Sequence, residues 1–204
     1  MRKLFFVFVL AAILMPATNV MAQHTEETSC SACHTPHYAG VMEGVPLWDP
    51  DHDIGAGITF TMYGEDLLPG DPTTLDATIA AEPDGSSRLC LSCHDGAQTD
   101  HPPGLTHDLS DDHPISFVYD TALATLDGEL LDPTVALSFV PGSGGTVHED
   151  LLHNTGKVQC VSCHDIHKSG VTTAFLFDIK GEVSIPGWGG SINSEALCKA
   201  CHDK

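Results

Sequence analysis

The eight cysteines of this 204-residue chain occur as four copies of one short unit, Cys-x-x-Cys-His. The copies are Cys30-Ser-Ala-Cys33-His34, Cys90-Leu-Ser-Cys93-His94, Cys160-Val-Ser-Cys163-His164 and Cys198-Lys-Ala-Cys201-His202. Eight cysteines could instead form four disulfides, but a disulfide framework does not need a histidine after every second cysteine. A zinc site has no need of that fixed histidine either. The pattern is typical of covalent haem attachment.

The chemistry of haem attachment explains the spacing within each unit. Two residues between the thiols place both sulfurs on one side of a single helical turn, where they can add to the two vinyl groups of one haem. The following histidine then lies under the porphyrin and reaches the iron. We therefore predict four covalently bound haem c groups, with thioether links and proximal ligands at Cys30, Cys33, His34, Cys90, Cys93, His94, Cys160, Cys163, His164, Cys198, Cys201 and His202.

The N-terminus has the pattern of an export signal. Arg2 and Lys3 precede an apolar stretch at 4–15, and small residues lead up to a cleavage site after Ala22. The apolar stretch is shorter than the roughly 20 residues of a membrane-spanning helix. The sequence predicts a signal peptide at 1–22 and one tetrahaem cytochrome domain at 23–204. We expect an extracellular or cell-surface protein, alternatively a periplasmic one, with no membrane insertion after cleavage.

The charge is strongly acidic, with a formal net value of −20. Loss of Arg2 and Lys3 with the signal peptide makes it two units more negative. Nucleic acids and anionic membranes require a basic face, so the sequence disfavours both as partners. Redox partner proteins with a cationic surface, or extracellular metal acceptors, fit this charge better.

Glycine and proline interrupt the chain between the motifs, for example at 68–72, 140–145 and 185–190. These segments predict turns, and no long helical periodicity is present. A short helix is predicted at 194–202, and strand-like fragments at 58–63, 116–119 and 174–179. The expected fold class is an irregular, coil-rich multihaem cytochrome, with short helices and few short strands wrapped around a stack of four haems. Porphyrin would supply most of its apolar core.

Nine histidines lie outside the motifs, whereas only Met42 and Met62 remain as methionines after signal cleavage. This supply favours two histidines on every iron. His37 follows His34 by three residues, and His167 follows His164 by the same interval. A histidine one turn from a proximal ligand cannot reach the far side of the same haem. We expect His37 and His167 to bind neighbouring haems, which implies haems packed in pairs.

The two remaining distal ligands are predicted with less sequence support. His113 is the third choice, because Pro114 fixes its backbone and the apolar residues that follow suit a haem wall. His52 is the fourth, in competition with His24, His107 and His153. His101 and His148 are expected at the surface.

Several longer segments resemble the multihaem cytochromes of metal-reducing bacteria, in which Cys-x-x-Cys-His units recur in close pairs. The matching segments span nearly the whole mature chain and include His34-Thr-Pro-His37, Pro46-Leu-Trp48, Leu89-Cys-Leu-Ser-Cys-His-Asp-Gly96, Asp112-His-Pro-Ile-Ser-Phe117, Val158-Gln-Cys-Val-Ser-Cys-His-Asp-Ile-His167 and Leu197-Cys-Lys-Ala-Cys-His202. The resemblance implies bis-histidine ligation, a coil-rich fold, extracellular electron transfer, polymerisation into filaments and one distal histidine supplied by the next protomer. His52 departs from it, because it lies further beyond Trp48 than the resemblance leads us to expect.

These features favour an electron carrier over an enzyme. A multihaem reductase needs an iron without a distal ligand and acid–base groups beside it. Nine spare histidines for four irons argue against such a vacancy, and no Cys-x-x-Cys-Lys variant of the motif occurs. Metal storage by the acidic surface does not explain four haems. Within the carrier class, a filament subunit that forms a homopolymer is favoured over a soluble monomeric periplasmic shuttle.

Overall fold

The computed structural model describes residues 30–54, 57–64, 75–96, 105–140, 143–153, 155–164 and 194–203. The predicted signal peptide at 1–22, the strand-like fragment at 174–179 and the histidines His24, His101 and His167 lie outside these ranges.

Regular secondary structure is short and sparse in the described ranges. A 3-10 turn covers Cys30–Ala32. The helices are α1 (Gly85–His94), α2 (Thr121–Asp127), α3 (Val147–Asp150), α4 (Cys160–Cys163) and α5 (Ser194–Cys201). The strands β1 (Phe117–Val118) and β2 (Lys157–Val158) form one antiparallel ribbon, with Phe117 opposite Val158. Turns and loops make up the rest, and the stack of four haems expected at the centre stays a prediction.

Local signals explain where the short helices begin. The Asp120 side chain accepts a hydrogen bond from the Leu123 amide at 2.9 Å and starts α2. Gly128 ends that helix in the left-handed conformation, with φ of 75°. At α3, Thr146 and Glu149 each accept from the other's amide, which is the reciprocal capping box. These caps stabilise helices that are too short to persist alone.

Two of the predicted elements are present and one is not. The helix expected at 194–202 is observed as α5, and the strand expected at 116–119 is observed as the two residues of β1. The strand expected at 58–63 is wrong, because only Thr61 forms a bridge, to Asp108. Gly57 and Gly64 adopt positive φ on either side. They bend the chain away from its neighbour after a single pairing.

Two small apolar clusters among the described residues position the helices. The larger lies between the ribbon, α2, α3 and α5, and is built from Phe117, Tyr119, Leu123, Ala124, Val147, Leu151, Leu152, Val158 and Ala200. The smaller packs behind α1 and contains Phe60, Met62, Leu91 and Leu109. Met62, a conceivable ligand by residue type, is 2% exposed within it. None of the described helices has the length and apolar character needed to cross a bilayer.

Tyr119 connects the C-terminal helix to the ribbon. Its side chain is fully buried, and its hydroxyl donates to the carbonyl of Leu131 at 2.5 Å. The same hydroxyl lies within hydrogen-bonding distance of the Cys201 carbonyl, at 3.3 Å. The Leu131 amide also donates to the Cys201 carbonyl at 2.8 Å. Burial raises the pKa of Tyr119, so the hydroxyl keeps the proton that it donates. The end of α5 is therefore held at one defined place on the core.

We predict that Tyr119→Phe lowers the stability of the purified protein. The variant keeps the ring but leaves the Leu131 carbonyl without the hydroxyl donor, which costs about 1–3 kcal/mol, whereas the Cys201 carbonyl keeps its bond from the Leu131 amide. Tyr38→Phe is the matched control, because Tyr38 is 99% exposed. Thermal unfolding followed by circular dichroism should show a lower midpoint for the first variant only. Equal midpoints for the two variants would contradict this role of Tyr119.

Candidate functional site

Each Cys-x-x-Cys-His unit coincides with a short helical turn. In three units the amide of the histidine donates to the carbonyl of the first cysteine: His34 to Cys30 at 2.9 Å, His164 to Cys160 at 3.0 Å and His202 to Cys198 at 2.9 Å. The remaining unit, the second in the chain with Cys90, Cys93 and His94, occupies the C-terminal half of α1. None of the eight cysteines is joined in a disulfide. The two thiols of each unit are thus presented on one turn, as thioether attachment requires.

The first and second units are neighbours. Burial raises the pKa of the Cys33 thiol, and the nearby Cys93 thiolate raises it further. An ion pair joins the same two regions, because Arg88 on α1 donates to both carboxylate oxygens of Asp53 at 2.5 and 3.1 Å. This two-pronged geometry fixes orientation as well as distance.

The second and third units are in direct contact. The hydrogen bond between the Cys90 and Cys160 thiols raises the pKa of Cys90 and lowers that of Cys160, because it stabilises the thiol of one and the thiolate of the other. Burial lowers the pKa of His164, and the nearby His94 lowers it further. The cysteines and the histidines of the two units therefore lie side by side.

A network of polar side chains holds α1 and α4 together at this contact. The side-chain NH2 group of Gln159 donates to the Asp84 carboxylate at 2.6 Å. The side-chain oxygen of Gln159 accepts from the backbone N–H of Ser87 at 3.3 Å. The Ser87 hydroxyl in turn accepts from the Cys160 amide at 2.9 Å. Lys157 bridges Asp84 at 2.8 Å and Glu43 at 2.7 Å. We call these residues the junction network. Through Glu43 it also reaches the segment that follows the first unit.

The third and fourth units are also neighbours. Burial raises the pKa of the Cys201 thiol to about 12, and the Cys163 thiolate adds to this rise. Val158 next to α4 and Ala200 on α5 belong to the same apolar cluster. The four units therefore follow one another in space in the order in which they occur in the sequence.

Among the proximal histidines, His34 shows the protonation that a metal ligand needs. Its Nδ1 lies 2.7 Å from the carbonyl oxygen of Pro46, and a carbonyl can only accept, so Nδ1 carries the proton. The Nε2 nitrogen then keeps its lone pair, which is the usual arrangement of a metal-binding histidine. Backbone pairing of His34 with Trp48 holds the ring beside Pro46.

The four predicted distal histidines differ in exposure and in what their rings contact. His37 is exposed in the turn that follows the first unit, and His167 lies outside the described residues. The ring of His113 is centred 6.5 Å from that of His202. The Nδ1 atom of His52 is buried without a hydrogen-bond partner, and the Asp49 carboxylate oxygen beside it is 3.8 Å away, too far for a hydrogen bond.

Two alternatives to His52, namely His107 and His153, lie within the described residues, and each has one ring nitrogen within hydrogen-bonding distance of an oxygen. The Nε2 atom of His107 lies 3.4 Å from the Asp95 carboxylate, and that of His153 lies 3.3 Å from the Val161 carbonyl. A buried imidazole nitrogen without a partner is costly in a finished fold, so His52 is the described candidate that a metal would satisfy. His148, expected at the surface, is partly buried.

The donor set fits haem. Each unit offers two thiols and one imidazole, and the orphaned nitrogen of His52 adds a further donor close to the first unit. Within the described ranges, no three histidine, cysteine or carboxylate side chains converge to hold a single metal ion.

Sequence reasoning missed the junction network. Gln159 and Asp84 carry no recognisable motif, and their partners are more than 70 residues away along the chain. One local signal was available. The Ser162 hydroxyl accepts from the backbone amide of Gln159 at 3.0 Å. This bond is part of the N-terminal cap of α4 and places Gln159 at the start of that helix.

Comparison with known proteins adds no relative. The chain matches no protein-family model, and none of the curated proteins with which it was compared matches it.

We predict that Asp84→Asn destabilises the protein more than Glu43→Gln. Burial raises the pKa of Asp84, but hydrogen bonds from Lys157 and Gln159 outweigh it, so that this pKa lies below its usual value. Glu43 is more exposed than Asp84, and Lys157 is its partner in the junction network, whereas Asp84 binds both Lys157 and Gln159. At neutral pH the loss for Asp84→Asn should be about 1 kcal/mol, since the pair is partly solvated.

The pH dependence follows from the direction of that shift. A carboxyl group with a depressed pKa contributes stability above its unfolded pKa of about 3.9, and loses it as the pH falls through the folded value. The midpoints of wild type and Asp84→Asn should therefore differ at pH 7 and converge below roughly pH 4. A difference that grows on acidification would contradict the assignment.

Proposed function

We propose that this chain is an exported tetrahaem c-type cytochrome that carries electrons along a row of closely packed haems. The observation that supports this best is the arrangement of the four Cys-x-x-Cys-His units, each on its own helical turn and each next to the following one. A metal-storage protein has no need of such a row.

The residues of the chain perform three tasks in this proposal. The thiols tie each porphyrin to its turn, so that neighbouring turns bring neighbouring porphyrins together. The proximal histidines His34, His94, His164 and His202 bind the irons, and at His34 the Pro46 carbonyl orients the ring. The haems supply one-electron redox chemistry when bound.

The supply of histidine supports a carrier rather than a reductase. Among the described histidines, His52 and His113 each have a feature that suits an axial ligand, namely an orphaned nitrogen and a ring beside a proximal histidine. His37 and His167 complete the proposed set of four, each bound to a haem next to its own motif. Irons with two histidines have no open position for a substrate.

Within the carrier class we favour a filament subunit in extracellular electron transfer over a monomeric periplasmic shuttle. Each unit lies next to the following one, and in this proposal the first and fourth units are the ends that meet head to tail. A contact of that kind propagates when it does not close. Beside the first unit, Tyr38 and Val41 are both 99% exposed. Large apolar side chains exposed near one end of the row suit an interface. Redox proteins or extracellular metals would be the other partners.

We predict that the intact mass of the secreted protein equals the mature polypeptide plus four haems. Cys198→Ala with Cys201→Ala should remove one haem mass and leave three, because attachment depends on the thiols. Electron paramagnetic resonance of the oxidised native protein should show low-spin iron throughout. A mass that fits four disulfides without haem would overturn the proposal, and a substantial high-spin signal would favour the reductase.

Assembly has its own test. Negative-stain microscopy of the secreted protein should show filaments that weaken at low ionic strength, because the acidic protomers repel one another without screening. Tyr38→Asp with Val41→Asp should abolish them. Val118→Asp is the control, since Val118 is half exposed on β1 beside the third unit. Isolated particles at every salt concentration would support the shuttle.

A further inference from the structure

We infer that His113 is the second axial ligand of the iron bound by His202, and so completes the haem site of Cys198 and Cys201. This inference rests on the proposed function and adds to it a specific pairing, in which the two axial ligands of one haem lie 89 residues apart in the sequence.

The distance between the two rings is the first argument. Two imidazoles on opposite sides of one iron have centres about 6.2 Å apart, because each bond to the metal is about 2.0 Å and the ring centre lies about 1.1 Å behind its nitrogen. The centres of the His113 and His202 rings are 6.5 Å apart, and their planes cross at 77°. Each ring plane can turn about the axis through the iron, so this angle is compatible with axial ligation.

The protonation of His113 is the second argument. Its Nδ1 lies 3.0 Å from the carbonyl oxygen of Pro114. A carbonyl only accepts, so Nδ1 donates and carries the proton, and Nε2 keeps the lone pair that binds iron. Proximal His34 has the same arrangement with Pro46. A backbone carbonyl that fixes the tautomer is the usual support of a metal-binding imidazole.

The backbone around both histidines is held by one part of the core. Ser116 has a φ of 61°, and its hydroxyl accepts from the Asp84 amide at 3.1 Å, which fixes the turn that carries His113. Phe117 and Tyr119 follow in the larger apolar cluster, and Tyr119 reaches the carbonyl of Cys201. His202 itself pairs with Leu130. The two rings are therefore neighbours because of long-range packing.

An ordinary contact between aromatic rings is the competing explanation. Such contacts span ring distances of about 4.5–7 Å and gain most when they remove ring surface from water. His113 and His202 are both exposed, so little is gained by this contact alone. A metal between them would account for their separation and for the protonation of His113 together.

The pairing has a consequence for assembly. If His113 closes the fourth haem within one chain, that haem needs no histidine from a neighbouring protomer. A ligand donated across a filament joint would then have to serve one of the first three units.

The experiment combines His113→Ala with removal of the fourth haem. In the native background the variant should keep all four haems and convert one iron in four to the high-spin form, and added imidazole should restore it. In the background of Cys198→Ala with Cys201→Ala, three haems remain and His113→Ala should produce no high-spin iron. His148→Ala is the control and should leave the spin state unchanged in both backgrounds.

Each other outcome overturns the inference. High-spin iron in both backgrounds would mean that His113 binds another haem, and none in the native background would mean that it binds none. Failure of the proposed function is distinguishable, since it would appear as missing haem mass before any spin state is measured. If the three-haem background does not accumulate, an electron-microscopy map of the native holoprotein decides whether His113 Nε2 or another group faces His202 across the fourth iron.

Discussion

The row of Cys-x-x-Cys-His units depends on the junction network between α1 and α4. Gln159 connects Asp84 with the backbone of Ser87, and the Ser87 hydroxyl holds the first amide of α4. The second and third units occupy these same helices, so the network holds their cysteines next to each other. The first unit is joined to α1 by Arg88 and the fourth to the ribbon by Tyr119. All other neighbour relations in the row are therefore built outward from this central contact.

A polar junction suits a chain whose described part contains two small apolar clusters. Apolar contacts are not directional, and a short helix such as α4 offers few of them. Hydrogen bonds require defined positions for donor and acceptor, and they strengthen when water is excluded. In the proposed holoprotein the porphyrins would supply that exclusion, since each covers a large apolar area. The junction network would then fix the register of neighbouring haems, while the haems provide most of the hydrophobic stabilisation.

The sequence predicted those parts of the site that are encoded locally. The helical turns of the four Cys-x-x-Cys-His units, helix α5 and strand β1 follow from spacing, capping and apolar pattern within a few residues. The roles of Gln159 and Tyr119 could not be predicted, because their partners are distant in sequence and any of several polar residues could have met them. The strand at 58–63 failed for a related reason, since alternation shows that a segment can pair but not that a neighbour is available. For His52, spacing gave weak support, and the orphaned nitrogen came from tertiary packing.

Charge links the internal row to its surroundings. Two of the chain's few cations, Arg88 and Lys157, are each paired with carboxylates at the contacts between units, so they do not offset the acidic surface. A field of negative charge favours the oxidised, more positive state of each iron, and histidine as both axial ligands acts in the same direction. Both effects would keep the potentials of the proposed haems low. The same field attracts a cationic electron donor or acceptor and opposes contact between copies of the chain. Assembly and partner docking would therefore respond to salt in opposite ways, because screening removes repulsion in one case and attraction in the other.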